Sequence, residues 1–358
     1  VSATAPAPLA VLGIETSCDE TAAAVVAETG DPARPWQVRS NVVASQVDIH
    51  REWGGVVPEL ASRQHVRDIC GVVERALADA GTGLDGIGAI AVTQGPGLVG
   101  SLLVGVSFAK AVSLARSIPL VPVHHLAGHI ESLFLHNGPL PLPAAVLVVS
   151  GGHTSLYLVR EPGHYEPLGR TRDDAAGEAY DKVAKLLGLD YPGGPAIDER
   201  AARGNDRAFA LPGLRITHAD RRTPGDPGRL DFSFSGLKTA VLRLVRERAH
   251  DGPLDEATID DVCASFQRVV VETLLDRTFA AAHRVGAASI GIAGGVSANR
   301  RLRADALARG GREGIPVFIP AMSLSTDNAA MIAAAGLRRF RAGVRATLDL
   351  NADAGLTL

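Results

Sequence analysis

Two stretches of this 358-residue chain run through the same order of candidate elements, and few folds can accommodate such a repetition. In the first, apolar runs at 11–15, 22–26 and 38–45 read as strands and precede a long helix over 58–80. A strand at 89–93, a helix at 98–114 and a strand at 120–123 complete it. The second offers strands at 145–150, 155–159 and 165–170, then a helix at 178–187. After an interruption come a helix at 259–284, a strand at 289–293, a helix at 299–309, a strand at 316–319 and a last helix at 327–342. Each half therefore reads β-β-β-α-β-α, with a hairpin at its start and parallel strands afterwards. The expected fold is a duplicated α/β architecture with a cleft between the halves. The hairpins at 13–21 and 150–154 would face one another across that cleft.

The expected organisation is a disordered N-terminal extension over 1–10, a first domain over 11–135, a second over 144–342 and a C-terminal tail over 343–358. The extension lacks the basic start and apolar core of a signal peptide. An insert over about 188–255, rich in Gly, Pro and Arg, interrupts the second domain. A hydrophobic fraction of 46% against 21% charged residues describes a chain with a sizeable core, and the length suits two domains. Cys18, Cys70 and Cys263 are too scattered for a zinc knuckle or a disulfide framework, which suits a reducing cytoplasm. No apolar run reads as long enough to cross a bilayer, so no membrane partner is expected. The net charge of −3 argues against indiscriminate nucleic-acid binding but leaves room for a local basic patch. Its best candidates are Arg200, Arg203, Arg207, Arg221, Arg222 and Arg229 in the insert; a solvated arginine-rich loop fits them equally well.

The sharpest chemical signal is the run Val123-His124-His125-Leu126-Ala127-Gly128-His129. On a helix, His125 and His129 share one face and could hold one metal ion. Alone, such a pair is as readily two ordinary histidines. The first hairpin, Gly13-Ile14-Glu15-Thr16-Ser17-Cys18-Asp19-Glu20-Thr21, crowds hydroxyl and acidic residues into a tight turn. Asp19 and Glu20 repel phosphate, so they suit a metal, a proton transfer or an amine. The second, Ser150-Gly151-Gly152-His153-Thr154, can expose consecutive backbone N–H donors to a ligand. Gly294-Gly295-Val296-Ser297-Ala298-Asn299 joins a strand to a helix, a turn suited to an anion or a nucleotide sugar, although it matches neither a P-loop nor GxGxxG. Ser325-Thr326-Asp327-Asn328 on local grounds is a helix cap.

In this order the motifs resemble one family closely, the bacterial tRNA N6-threonylcarbamoyladenosine transferases (TsaD/Gcp/YgjD), formerly called O-sialoglycoprotein endopeptidases. The matching segments include Gly54-Gly55-Val56-Val57-Pro58-Glu59-Leu60-Ala61-Ser62-Arg63 and Asp231-Phe232-Ser233-Phe234-Ser235-Gly236-Leu237-Lys238. With the motifs above and those at 95–100, 173–182 and 191–198, they span roughly residues 11 to 342. The resemblance implies an actin/Hsp70/hexokinase-like (ASKHA) fold with an inter-domain nucleotide cleft. The implied reaction moves a threonylcarbamoyl group from threonylcarbamoyl-AMP to N6 of the adenosine 3′-adjacent to the anticodon, in tRNAs reading ANN codons, with release of AMP. His125, His129 and Asp327 match the family's metal ligands, with Fe(II) favoured by the resemblance and Zn(II) also suited to the donors. Val148, Val149, Ser150, Gly151, Gly152, Asp181, Gly194, Asp198 and Asn299 match its substrate-binding positions. Asp19, Glu20 and His153 stay unranked as catalytic candidates. The implied partners, beyond tRNA and the adenylate, are a smaller paralogous TsaB-type subunit and a TsaE-type ATPase. The helical face over 59–80 is a docking candidate, although Leu60, Val66, Ile69 and Val72 fit a core as well. Beyond residue 342 the tail departs from the family's basic, proline-containing ending.

Three alternatives compete. The fold class alone allows an ASKHA-type kinase or ATPase. The HxxxH pair alone allows a metallopeptidase, but the glutamate that follows the first histidine of a zincin is Leu126 here. A catalytically inert binding subunit would not need every matched functional residue, and all are present.

Overall fold

The computed structural model describes residues 8–213, 230–248 and 252–358. Two compact units emerge. The first comprises the described chain through Asp48, Val56–Leu140 and Asp327–Leu358; the second comprises Ile49–Gly55 and Pro141–Thr326.

The first unit is built on five strands, β1 (Ala10–Glu15), β2 (Glu20–Glu28), β3 (Trp36–Ser45), β4 (Ala89–Gly95) and β5 (Leu120–His124), in the order β3-β2-β1-β4-β5. β1 pairs antiparallel with β2 and parallel with β4, and β4 pairs parallel with β5. Every residue of the central β1 is buried, as a strand covered on both faces requires. The helices of this unit are α2 (Pro58–Asp79), α3 (Val99–Arg116), α4 (His125–Asn137) and α10 (Ala329–Arg341); α1 (Val47–Arg51) is a short turn where the chain crosses to the second unit. α2 starts with Pro58, where a missing N–H costs nothing, and buries Ala61, His65, Ile69, Val72, Val73 and Ala76 along one stripe. Ile69 and Val72 are therefore core, whereas Val66 is 63% exposed. α3 is, among the described residues, the helix with the length and composition to span a bilayer, contrary to expectation. Here it packs against α2 and β4 and buries Leu102, Val106 and Ala109.

The second unit repeats the topology. β6 (Ala144–Val149), β7 (Thr154–Glu161), β8 (His164–Arg170), β9 (Ser289–Ala293) and β10 (Val317–Phe318) run in the order β10-β9-β6-β7-β8, again with two antiparallel and two parallel pairings. α5 (Ala176–Leu186), α6 (Gly193–Ala201), α7 (Ser235–Arg248), α8 (Glu256–Val285) and α9 (Arg300–Glu313) complete it. Among its described residues the expected insert thus carries the helices α6 and α7, which join the core through Ile197, Leu237 and Val241.

Three expectations about organisation change. The second domain does not keep its last helix: α10 packs on β1, β4 and α4 of the first unit. Small residues make this possible. A Cβ at Gly13 of β1 would lie 2.3 Å from the Ala329 carbonyl oxygen, and one at Gly336 would lie 2.2 Å from Ala91 Cβ, so helix and sheet touch backbone to backbone. Nor is the tail separate. Ala346 N–H donates to Leu120 O, Asp353 N–H to Gln94 O, and Lys110 Nζ to Leu350 O. Of the expected extension, residues 1–7 lie outside the described residues, while Leu9 exchanges hydrogen bonds with Glu28 and Ala10 already belongs to β1.

Candidate metal centre and adenylate site

β5 ends at His124 and α4 begins at His125, so the switch from strand to helix aims two imidazoles the same way. The His125 and His129 rings meet edge to face with centroids 4.8 Å apart. Asp327 arrives from far along the chain because α10 lies against α4, where a Cβ at Gly128 would be 2.8 Å from Ile332 Cδ1. Capping of α10 falls to Asn328, whose side chain accepts from Met331 N–H, so the cap does not explain Asp327. Asp327 Oδ1 stands 3.6 Å from His125 Nε2 and 3.2 Å from His129 Nε2. One ligand atom from each of the three residues lies within 4.8 Å of the others.

The donor set fits a divalent transition metal. His129 is 0% exposed, yet neither ring nitrogen has a hydrogen-bond partner among the described residues. Leaving a buried polar atom unsatisfied costs about 1–3 kcal/mol, and a bound cation would remove that cost at Nε2. Two imidazoles and one carboxylate leave coordination positions for substrate oxygens.

The sequence reading missed the group that orients this set. Glu15, at the end of β1 and 0% exposed, accepts from His125 Nδ1 at 3.0 Å, from Ser17 N–H at 2.6 Å and from Thr93 Oγ1 at 2.8 Å. A carboxylate on Nδ1 turns Nε2 toward Asp327 and strengthens it as a ligand. Burial opposes the charge on Glu15, but the neighbouring His125 prevails and holds the carboxyl below its usual range. Burial likewise pushes the His125 imidazole down, and Asp327 and Glu15 overcome it, raising it to about 9. A cation binding there would have to displace the Nε2 proton. A charged residue closing an otherwise apolar strand was the available signal.

Asp19 and Glu20 sit in the same unit, on the β1–β2 turn; Asp19 is buried and Glu20 half-buried. Burial, reinforced by the negative charges of Asp19 and Asp327, holds the Glu20 carboxyl well above the ordinary range.

The remaining expected residues belong to the second unit. Val148 and Val149 end β6, fully buried, and the turn that follows is closed by Ser150 N–H donating to His153 O at 2.8 Å. Gly151 and Gly152 are exposed, and a Cβ at either would meet nothing within 4 Å. Gly294, with φ +92°, brings its backbone against Val149 O, so the turns after β6 and β9 lie together at the C-terminal ends of two parallel strands, where α/β sheets bind ligands. Asp198 and Asn299 meet: Asn299 Nδ2 donates to Asp198 Oδ1 at 3.1 Å and to Gln267 Oε1 at 2.8 Å, while its Oδ1 caps α9. Gln267 Nε2 and Arg300 Nε also donate to Asp198. Asp181 accepts from Gly193 N–H at 2.8 Å and lines a cavity of about 120 Å³ with Arg51, Lys185 and Tyr191; Gly194 adjoins it on α6. The insert arginines fare differently from expectation. Arg200 pairs with Glu256 and Asp260, and Arg203 with Asp260, bracing α6 against α8 and committing both charges to protein carboxylates. Arg207 is exposed, and Arg221, Arg222 and Arg229 lie outside the described residues.

Two copies of one five-stranded topology, with ligand-type turns at corresponding hairpins, define an ASKHA-type duplicated α/β protein. Solved structures agree at the level of fold: the chain is similar to the Acidaminococcus fermentans (R)-2-hydroxyglutaryl-CoA dehydratase component A, with TM-score 0.53 and 13% identity over 93% of this chain and 98% of that one. It is also similar to full-length HypF, with TM-score 0.56 and 13% identity over 94% of this chain and 48% of that one. Within that class, residues 37–334 match the family model of tRNA N6-adenosine threonylcarbamoyltransferase (TsaD), and the chain belongs to this family. A relative of that name from Anaeromyxobacter dehalogenans is 54% identical over 96% of this chain and 98% of its own length. Another, from Bacillus subtilis, is 50% identical over 97% of this chain and 95% of its own.

Proposed function

We propose that this chain transfers the threonylcarbamoyl group of threonylcarbamoyl-AMP to N6 of the adenosine 3′-adjacent to the anticodon, in tRNAs reading ANN codons, and releases AMP. Family membership over nearly the whole chain supports the reaction, and the buried His129, with no hydrogen bond at either ring nitrogen among the described residues and its Nε2 facing Asp327 beside His125, is the observation that carries a metal-assisted form of it. His125, His129 and Asp327 would hold one divalent cation, Fe(II) by family resemblance, with Zn(II) as the other suitable ion. When bound, the ion supplies Lewis-acid polarisation of a carbonyl or phosphoryl oxygen.

The rest falls to the protein's own groups. The adenylate is already an activated mixed anhydride, so no nucleophilic side chain is needed. The amine nitrogen attacks the carbamoyl carbon, the bond from that carbon to the AMP oxygen breaks, and the amine gives up one proton. An exocyclic adenine amine is a weak nucleophile, so orientation must supply much of the acceleration. Asp181, Gly194, Asp198 and Asn299 bind the nucleoside in this reading, with Asp198 held by Gln267, Asn299 and Arg300. Val148, Val149 and Ser150 fix the turn after β6, and Gly151 and Gly152 offer backbone N–H groups to charge developing on the departing phosphate. Asp19, Glu20 and His153 are the candidates for handling the proton. The target base lies in an unpaired loop, so no duplex needs melting.

For the paralogous TsaB-type subunit we propose the outer face of α2 and α3, where Val66 is 63%, Val99 56% and Leu103 42% exposed. A TsaE-type ATPase and a cytoplasmic location follow from the same family reading, and the free cysteines Cys18, Cys70 and Cys263 suit a reducing compartment. A peptidase reading finds no support on α4, whose one carboxylate, Glu131, is 0% exposed and held by Arg338 through both oxygens.

The test is reconstitution with metal, adenylate, tRNA and the two partners, scoring modified adenosine by mass spectrometry. His125→Ala with His129→Ala should abolish both bound metal and transfer. Full metal stoichiometry in that variant would defeat the metal assignment, and His125-dependent cleavage of protein substrates would revive the peptidase.

A further inference from the structure

The β1–β2 turn that carries Asp19 and Glu20 is held by its carbonyls. Ser17 O accepts from Leu98 N–H at the start of α3 at 2.8 Å, Asp19 O accepts from Gln46 N–H after β3 at 3.1 Å, and between them Cys18 O contacts His65 Nε2 at 2.9 Å. His65 lies on α2 and is 0% exposed. Because a carbonyl only accepts, Nε2 carries the proton, and Nδ1 is left as the acceptor for the Thr21 hydroxyl at 2.8 Å. Gln46 Nε2 approaches the same Nδ1 at 3.4 Å. One imidazole in one tautomer therefore grips the residue before Asp19 and the residue after Glu20. Burial holds this ring below its ordinary value, in keeping with a neutral imidazole.

We infer that His65 is a positioning residue for the transfer reaction, fixing the Asp19–Glu20 pair while touching no substrate itself; this rests on the function proposed above. Two separate backbone contacts also anchor the turn, so loss of His65 should leave the hairpin formed but free to shift at Cys18 to Thr21.

The test compares His65→Leu, His65→Gln, Thr21→Val and Thr21→Ser in the reconstituted enzyme. Leu removes both hydrogen bonds. Gln can return a donor to Cys18 O. Val removes the hydroxyl at constant shape, and Ser restores it. Since misplacing a reacting group by about 1 Å can cost about 100-fold, kcat should fall about 10- to 100-fold in His65→Leu and less in Thr21→Val. KM for the adenylate and metal stoichiometry should stay unchanged, and His65→Gln and Thr21→Ser should recover most of the loss. Amide hydrogen exchange at 18–21 in the substrate-free protein should quicken in His65→Leu and Thr21→Val alone. Wild-type kcat and exchange in both variants, or a loss confined to KM or metal content, would overturn the inference. If the wild-type protein transfers no threonylcarbamoyl group, the functional reading fails instead, and hydrogen exchange still decides whether His65 holds the turn. Should His65→Leu not fold, kcat and exchange in the Thr21 pair decide the question by the same criteria.

Discussion

As a candidate ligand His125 has Nε2 to offer, because its Nδ1–H donates to Glu15. A neutral amide in place of the carboxylate would still accept that hydrogen bond but would give the ring less basicity. Glu15→Gln should therefore weaken the cation by about 10- to 100-fold while the fold stays intact, measured by chelator competition. Unchanged affinity would reduce Glu15 to a packing role. Arg338 presents a different case. Its guanidinium stacks on Trp36 and Phe134, and two 2.8 Å bonds pair it with fully buried Glu131, tying α10 to α4. Removing one partner strands a buried charge, so Arg338→Ala should lower unfolding free energy by about 3–5 kcal/mol in urea titrations. A loss below about 1 kcal/mol would mean that water replaces the guanidinium.

At the scale of elements, the candidate metal centre depends on how closely α10 approaches the first sheet. Asp327 is brought to the histidines by a helix that begins two residues later and whose Ala329 carbonyl leaves no room for a side chain on Gly13. The obstruction is backbone on backbone, which rotamer changes cannot relieve. Gly13→Ala should cost about 1–3 kcal/mol or more and should release the cation even though no ligand is altered. Retained metal at wild-type affinity would show that α10 can shift without moving Asp327. This arrangement also marks the limit of what the sequence reveals. The strands and helices of both halves were legible because periodic burial writes itself into local apolar patterns, as in α2 and β1. An Ala- and Gly-faced helix such as α10 fits either sheet, so nothing local says that it leaves the second half for the first. α6 was hidden for the opposite reason: Gly193-Gly194-Pro195 has poor helix propensity, and packing of Ile197 decides the outcome. Glu15 escaped notice because a single acid at a strand end reads as a polar hairpin tip.

Across the whole molecule, the candidate residues for the two proposed kinds of chemistry are segregated by unit. All three candidate metal ligands, Glu15, Asp19 and Glu20 lie in the first unit, while Val148 to His153, Asp181, Gly194, Asp198 and Asn299 lie in the second. The duplicated topology was legible because the same element order occurs twice; the division of labour was not, since it depends on the chain returning to the first unit at Asp327. Ligand linkage makes the segregation measurable. A ligand at 100 times its dissociation constant stabilises the state that binds it by about 2.7 kcal/mol. Fe(II) or Zn(II) should therefore slow amide exchange selectively in the first unit, including α4 and α10. AMP should slow it in the turns after β6 and β9 and at the start of α6. Metal protection confined to the second unit, or AMP protection confined to α4, would contradict the assignment of both sites. Uniform protection by either ligand would instead make the chain a single cooperative unit of opening, with the metal felt at the adenylate turns through global stability rather than through contact.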